Sequence, residues 1–288
     1  MNSTAAEGAT SAAPVAPLKP VRMIALDLDG TLLRADKTIG PRTRDALHAA
    51  HAKGVEIVLA SGRMASSIER IATALGVDVC LMSCNGAEVY GRAAGGRKLL
   101  FHQPLNADVG REVVAYGKAH RYQVNFYHND VLHSEDGPGL RPWIEVYRSR
   151  TTSPFHYVKD LMEYTHLAPS KVLYVVDPTI RNAIQADIAP RLGSRVATLR
   201  TDPEYLEFLD PGVDKGVGLT KLAEVLGIPM GQVMAMGDGE NDIPMLAVSG
   251  WPVAMVNAGP LCRAVGRFFT QSDNDHDGVA EAIERWVL

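Results

Sequence analysis

The stretch Ile24-Ala25-Leu26-Asp27-Leu28-Asp29-Gly30-Thr31-Leu32-Leu33 decides how this chain is read. An apolar strand carries two carboxylates, two residues apart, into a Gly-Thr turn. Side chains alternate faces along a strand, so residues i and i+2 emerge on the same side. Two like charges that close repel each other. Both stay ionised only with a cation between them; otherwise one is held protonated. Asp27 and Asp29 therefore imply either a divalent metal or a division of labour between an ionised nucleophile and a protonated acid. Alone, the pattern is also that of a polar turn after a strand, so the rest of the chain has to decide.

Working outward, strand and helix signals alternate from residue 22 onward. Met23–Leu26 reads as a short buried strand. Pro41–Lys53 has helical periodicity, with Pro41 at an early helix position and Gly54 at its end. A second apolar strand over Val55–Ala60 ends at Ser61-Gly62-Arg63. A helix over Ser66–Leu75 stops at Gly76, and a third strand over Val79–Ser83 leads to Asn85-Gly86. This rhythm argues for a parallel sheet with helices on its faces. It resumes near the other end with a helix over Lys215–Leu226 and a strand over Val233–Met236. That strand runs into Gly237-Asp238-Gly239-Glu240-Asn241-Asp242. The middle differs in texture: it holds most of the aromatics and histidines, with helices and strands of its own. The expected organisation is an N-terminal tail over 1–20, a core domain over 21–104 and 202–288, and an inserted α/β module over 105–201.

The bulk numbers exclude several classes. The chain has 288 residues, 46% of them hydrophobic, enough for one large domain or two ordinary ones. A net charge of -4 gives no global attraction to nucleic acid or anionic membranes. No apolar stretch approaches the roughly 18–20 residues that span a bilayer. Cys80, Cys84 and Cys262 lack the second close pair of a structural zinc site. Three free, mostly buried thiols in a reducing cytoplasm are expected. Residues 1–20 lack the basic start and apolar core of a secretory signal, and read as a disordered extension.

Ligands of open α/β sheets bind outside the carboxyl ends of the strands. Asp27 and Asp29 follow the first strand, Ser61 and Gly62 the second, Asp238 and Asp242 a late one, and Lys215 begins a helix. Brought to one crevice, these supply carboxylates, a hydroxyl, backbone N–H groups and an ammonium. That inventory suits phosphoryl transfer. Carboxylate oxygens bind Mg²⁺, which prefers a few carboxylates plus waters and substrate phosphate. A small hydroxyl followed by glycine lets N–H groups approach phosphate oxygens, and a lysine screens the remaining charge. Singly, Ser61-Gly62-Arg63 is an ordinary turn and Lys215 a solvated lysine. Three acids within five residues of a glycine loop are costlier without a cation.

Asp27-Leu28-Asp29-Gly30-Thr31-Leu32, Ser61-Gly62-Arg63, Lys215 and Gly237-Asp238-Gly239-Glu240-Asn241-Asp242 together resemble the four ordered motifs of the haloacid dehalogenase-like hydrolase superfamily. Ser83-Cys84-Asn85-Gly86-Ala87, Asp210-Pro211-Gly212-Val213-Asp214-Lys215-Gly216, Asn241-Asp242-Ile243-Pro244-Met245-Leu246 and Asp277-Gly278-Val279 resemble its Cof-type phosphatase branch. The likeness covers residue 22 to the end. It implies a Rossmann-like α/β core with an α/β cap inserted between the second and third motifs. It further implies Asp27 as the nucleophile that forms an aspartyl-phosphate, and Asp29 as general acid and then base. Mg²⁺ would be held by Asp27, the Asp29 backbone carbonyl and Asp238, with Asp242 holding a metal-bound water or Lys215. The Leu28 and Gly62 N–H groups, Ser61, Lys215 and Asn241 would hold the phosphate. Dehalogenase relatives lack the second acid, so Asp29 argues for phosphatase chemistry.

The resulting expectation is a Mg²⁺-dependent phosphatase of small phosphorylated metabolites, with sugar phosphates foremost. A dedicated flavin or pyridoxal phosphate phosphatase is the near alternative, and a non-catalytic phospho-metabolite sensor the distant one. Asp273-Asn274-Asp275-His276-Asp277-Gly278 with Glu284 matches the spacing of a calcium-binding EF-hand loop. A strand precedes it where a helix is needed, and a helix from Gly278 would point Glu284 away. His48 and His51 read as a solvated helix face. Asn125-Phe126-Tyr127-His128-Asn129-Asp130, His133 and Arg148 could face the substrate or the cap core equally well, and Asn85 could touch the substrate.

Overall fold

The computed structural model describes residues 20–94, 96–151 and 153–288. The expected tail, apart from Pro20, lies outside the described residues. The chain begins with β1 (Met23–Asp27), α1 (Pro41–Ala52), β2 (Glu56–Ala60), α2 (Ala65–Leu75), β3 (Cys80–Ser83), β4 (Glu88–Tyr90) and β5 (Leu99–His102). It continues with α3 (Ala107–Ala119), β6 (Gln123–His128), β7 (Val131–Glu135), α4 (Arg141–Arg150), β8 (Phe155–Val158), β9 (Lys171–Val175), α5 (Pro178–Leu192), β10 (Ala197–Leu199) and β11 (Tyr205–Leu209). It closes with α6 (Lys215–Leu226), β12 (Val233–Gly237), α7 (Ile243–Val248), β13 (Trp251–Ala254), α8 (Pro260–Val265), β14 (Phe268–Phe269) and α9 (Gly278–Trp286).

Among the described residues the strands form two sheets. One has eight strands in the order β14-β13-β12-β1-β2-β3-β4-β5, the other six in the order β10-β11-β9-β6-β7-β8. In the larger sheet β14 through β3 are parallel. Its central strands β1, β2 and β12 are buried along their whole length, as befits strands with helices on both faces. The antiparallel hairpin β4–β5 extends the far edge. Helix ends follow local chemistry. α2 and α6 stop at Gly76 and Gly227, both left-handed, and Asp214 caps α6 by accepting from the Val217 N–H.

The smaller sheet is antiparallel except for the β7–β8 pair. Here the expected boundary at residue 201 needs correction. β11 lies between β9 and β10, so Tyr205–Leu209 belongs to the inserted sheet and not to the core. Its apolar run adjoins Asp210-Pro211-Gly212, and an apolar run does not say which sheet it will pair with. Each sheet has its own apolar cluster: Ile24, Leu26, Leu59 and Met234 belong to the larger, Phe126, Tyr174, Leu206 and Phe208 to the smaller. Among the described residues no helix is long and apolar enough to cross a membrane.

Candidate active site

Strand register assembles the site. Asp27 ends β1 level with Ala60, and Leu26 pairs with Met236. The residues just beyond these strands, Ser61 and Asp238, therefore leave the sheet beside Asp27. Asp27, Asp29, Ser61, Gly62, Asp238, Asn241 and Asp242 all line one cavity of about 260 Å³. Two expected residues are elsewhere. Leu28 buries its side chain in the core, so any role falls to its backbone N–H. Lys215 is wholly buried behind the carboxylates and outside the lining.

Lys215 Nζ donates to Asp27 Oδ1 at 2.5 Å and to Asp242 Oδ1 at 2.6 Å. The other Asp242 oxygen accepts from the N–H groups of Asp238 and Gly239, each at 3.0 Å. Both oxygens of Asp242 are thus engaged in shaping the loop and anchoring the lysine. Asp238 accepts from Thr31 Oγ1 at 3.1 Å. Gly30 sits at φ +85°, where a Cβ would lie 2.4 Å from the Asp238 carboxylate. Only glycine allows both the turn and the approach.

The electrostatics follow from crowding three acids around one ammonium. Burial and the Asp242 carboxylate push Asp27 well above the ordinary carboxylate range, against the pull of Lys215. Burial and Asp242 likewise raise Asp238 to about 6. Burial alone would lower the Lys215 pKa, but Asp242 and Asp27 outweigh it and raise it, so the ammonium stays charged. Asp27, Asp238 and Asp242 each offer an oxygen within 4.8 Å of the others. A hard divalent cation is what such a surplus of negative oxygen fits.

Asp29 behaves differently. Arg63 holds it through two hydrogen bonds, at 2.9 Å from Nε and 2.8 Å from Nη2, and Lys37 Nζ adds a third at 2.7 Å. Burial tends to raise its pKa, but these two cations outweigh burial and hold it below the usual range. Of the two acids, the second is the one held ionised here.

Sequence reasoning missed the upper wall. Tyr147, Arg150, Lys171, Leu173, Tyr205 and Glu207 also line the cavity. Glu207 and Lys171 are 2% and 3% exposed, and Lys171 Nζ donates to Glu207 Oε2 at 2.9 Å and to the Gly62 carbonyl at 2.7 Å. Asn85 Nδ2 donates to the same Glu207 oxygen at 3.0 Å, and Asn241 Nδ2 donates to Asn85 Oδ1 at 3.1 Å. A polar chain thus runs from the smaller sheet to the acidic loop of the larger. The available signal was an acid inside the apolar run Tyr205–Leu209 and a lysine opening Lys171–Val175. Asn125 and His133 are not in this wall. Asn125 Oδ1 accepts from Gln123 and Ser134, and His133 packs against His156 and Tyr164.

The EF-hand-like loop spends its carboxylates on the protein. Asp277 accepts from Arg34 and Thr43, Asp275 from the Ala35 N–H, Asp273 from His276, and Glu284 pairs with Arg42. Among the described residues, Asp27, Asp238 and Asp242 form the one acidic group drawn close enough to share an ion.

The chain whose parallel strand ends present this lysine-anchored carboxylate trio matches the family model of the haloacid dehalogenase-like hydrolases over residues 24–283, and it belongs to that family. A Bacillus subtilis protein named 5-amino-6-(5-phospho-D-ribitylamino)uracil phosphatase YcsE is 28% identical over 93% of this chain and 96% of its own. A Cronobacter sakazakii protein named HMP-PP phosphatase is 30% identical over 83% of this chain and 85% of its own. A crystal structure of a haloacid dehalogenase-like hydrolase from Bacteroides thetaiotaomicron superposes with a TM-score of 0.83 at 29% identity, covering 92% of this chain and 99% of the other.

Proposed function

We propose that the protein is a Mg²⁺-dependent phosphatase of small phosphorylated metabolites, with sugar phosphates the foremost class, working through an aspartyl-phosphate. The observation that carries this is the buried Lys215 joining Asp27 and Asp242 next to Asp238, at the converging ends of β1 and β12. The names of the YcsE and HMP-PP relatives support phosphate removal from small metabolites. A cavity of about 260 Å³ favours small leaving groups, because it lies below the roughly 300–1,000 Å³ of pockets for larger ligands.

Asp27 and Asp238, with the Asp29 backbone carbonyl, would hold Mg²⁺, which when bound neutralises phosphoryl charge and aligns it with the nucleophile. Asp27 attacks phosphorus, and the bond to the leaving alcohol breaks. Lys215 fixes the Asp27 carboxylate for that attack. Ser61, the Gly62 N–H and Asn241 cradle the phosphoryl oxygens. Asp29, ionised in this structure, would have to take up a proton before it could pass one to the leaving oxygen; as a carboxylate it is ready to accept one from the water that hydrolyses the aspartyl-phosphate. Its pairing with Arg63 and Lys37 keeps it in the form needed for that second step.

The test is phosphate release from a panel of sugar phosphates and phosphorylated cofactors, with and without Mg²⁺. Metal-dependent release that Asp27→Asn abolishes is expected. No release from any monoester, or full activity in Asp27→Asn, would sink the reading.

A further inference from the structure

A second cleft, of about 490 Å³, adjoins the catalytic cavity. Lys37, Arg63, Arg150 and Thr151 line both, so the two spaces lie side by side. Six cations face this cleft: Lys37, Arg44, Arg63, Arg70, Arg148 and Arg150. No carboxylate is among its described lining residues, although the chain carries 33 acids to 29 lysines and arginines. Such one-sided placement focuses positive potential along a wall.

Four of the cations are partly committed. Lys37 and Arg63 hold Asp29, Arg150 pairs with Asp202 and Glu204, and Arg148 pairs with Glu145 and the Tyr157 hydroxyl. Arg44 and Arg70 have no ion-pair partner among the described residues. Ser67 is 3% exposed, lines the same cleft, and its Oγ has no hydrogen-bond partner. A buried hydroxyl left unmatched is a cost that a ligand would remove. Helix α2 presents Ser67, Arg70, Ile71 and Ala74 to the cleft at helical spacing, one continuous face. Leu33, Ile39, Ile71 and Ala74 add an apolar floor between the charges. Lys37 reaches the junction of the two cavities from a left-handed backbone at φ +66°, a conformation rare for a side-chain-bearing residue.

We propose that this cleft is a second anion subsite of the same active site. It takes a phosphate borne at the far end of the substrate, with Arg44, Arg70 and the Ser67 hydroxyl as recognition groups. The substrate class is therefore a bisphosphate whose carbon skeleton crosses the apolar floor while its scissile phosphate sits beside Asp27. This rests on the phosphatase reading above and narrows it.

The test compares fructose 1,6-bisphosphate with fructose 1-phosphate and fructose 6-phosphate on the Mg²⁺-loaded enzyme. A KM at least about tenfold lower for the bisphosphate is expected, since charge-assisted hydrogen bonds are involved. That advantage should shrink with added salt. In Arg44→Ala/Arg70→Ala the KM ratio should fall towards one, and Arg70→Lys should restore part of it. Circular dichroism checks that the variants fold. Equal KM values for the three substrates, or a ratio unchanged in the double variant, overturns the subsite and leaves the phosphatase reading standing. Absence of any phosphate release overturns the phosphatase reading instead. Calorimetric titration of the same three sugars then decides the subsite: tighter binding of the bisphosphate that needs Arg44 and Arg70 upholds it, and equal binding ends it.

Discussion

Lys215 is wholly buried, and its ammonium donates to Asp27 Oδ1 at 2.5 Å while also donating to Asp242 Oδ1 at 2.6 Å. One cation therefore holds both the expected nucleophile and the carboxylate that shapes the acidic loop. Removing it in Lys215→Met leaves two buried acids without their partner. A stability loss of about 3–5 kcal/mol is expected for an orphaned buried ion pair. The fall in kcat should exceed about a hundredfold, because the proposed nucleophile loses its orientation. Urea denaturation and phosphate release measure the two effects. Unchanged stability would mean that the lysine is dispensable to the loop.

Gly30 makes a separable prediction. Gly30→Ala puts a side chain at φ +85° and a Cβ 2.4 Å from Asp238. The backbone cost is about 1–2 kcal/mol. Gly54→Ala is the control, since Gly54 has φ +80° and open space around it. Both variants should lose stability, but only Gly30→Ala should weaken the Mg²⁺-induced rise in Tm. Equal Mg²⁺ responses would show that Asp238 tolerates displacement.

Asp27, Asp29, Ser61, Asp238 and Asp242 are legible in the chain because each stands at the end of an apolar strand or in the loop that follows it, and a parallel sheet brings those ends to one edge. Lys171, Glu207 and Tyr147 are not. They meet the site only through the register of β9 and β11 and the packing of α4, which pair residues far apart in sequence. The hairpin β4–β5 and the strands β7, β8 and β10 are three to five residues long, too short for periodicity to show. The roles of the two acids are the subtler gap. Spacing alone says that Asp27 and Asp29 share a face, but it does not show Arg63 and Lys37 closing on the second.

The EF-hand-like spacing leads to a prediction about calcium. Asp275 and Asp277 already accept hydrogen bonds from Ala35 and Arg34, so they tie the loop to the turn after β1. Divalent-ion binding followed by thermal shift should vanish in Asp238→Asn and persist in Asp275→Ala. The reverse pattern would make the loop a calcium site.

Acid should weaken the smaller sheet through His133. Burial first, and the nearby His156 second, lower its pKa from the ordinary 6.5. The folded state thus takes up this proton less readily than the unfolded chain. The contribution to stability is complete above the unfolded value and is lost as pH falls through the folded one. The urea midpoint should drop between about pH 7 and about pH 5. His133→Phe, which keeps a ring against Phe126 and Tyr164, should show a smaller drop. An equal drop would assign the effect to other groups, such as His102, which burial also lowers.

The chain from Lys171 through Glu207 to Asn85 ties the inserted sheet to the core, and its energetics and its function should separate. Lys171→Met leaves Glu207, 2% exposed, with only Asn85 and Thr201 to satisfy it. About 3–5 kcal/mol of stability should go. Lys171→Met/Glu207→Leu removes both charges, and most of that loss should return, because a packed apolar pair avoids the desolvation cost of the ions. Activity should not return with it. Without Glu207 the Asn85 amide loses an acceptor, and without Lys171 the Gly62 carbonyl loses its ammonium, so the turn at Ser61-Gly62, proposed to face the phosphate, is no longer held from above. A double variant that regains stability but keeps a raised KM supports that division. One that regains both would reduce the pair to a packing feature of the cap.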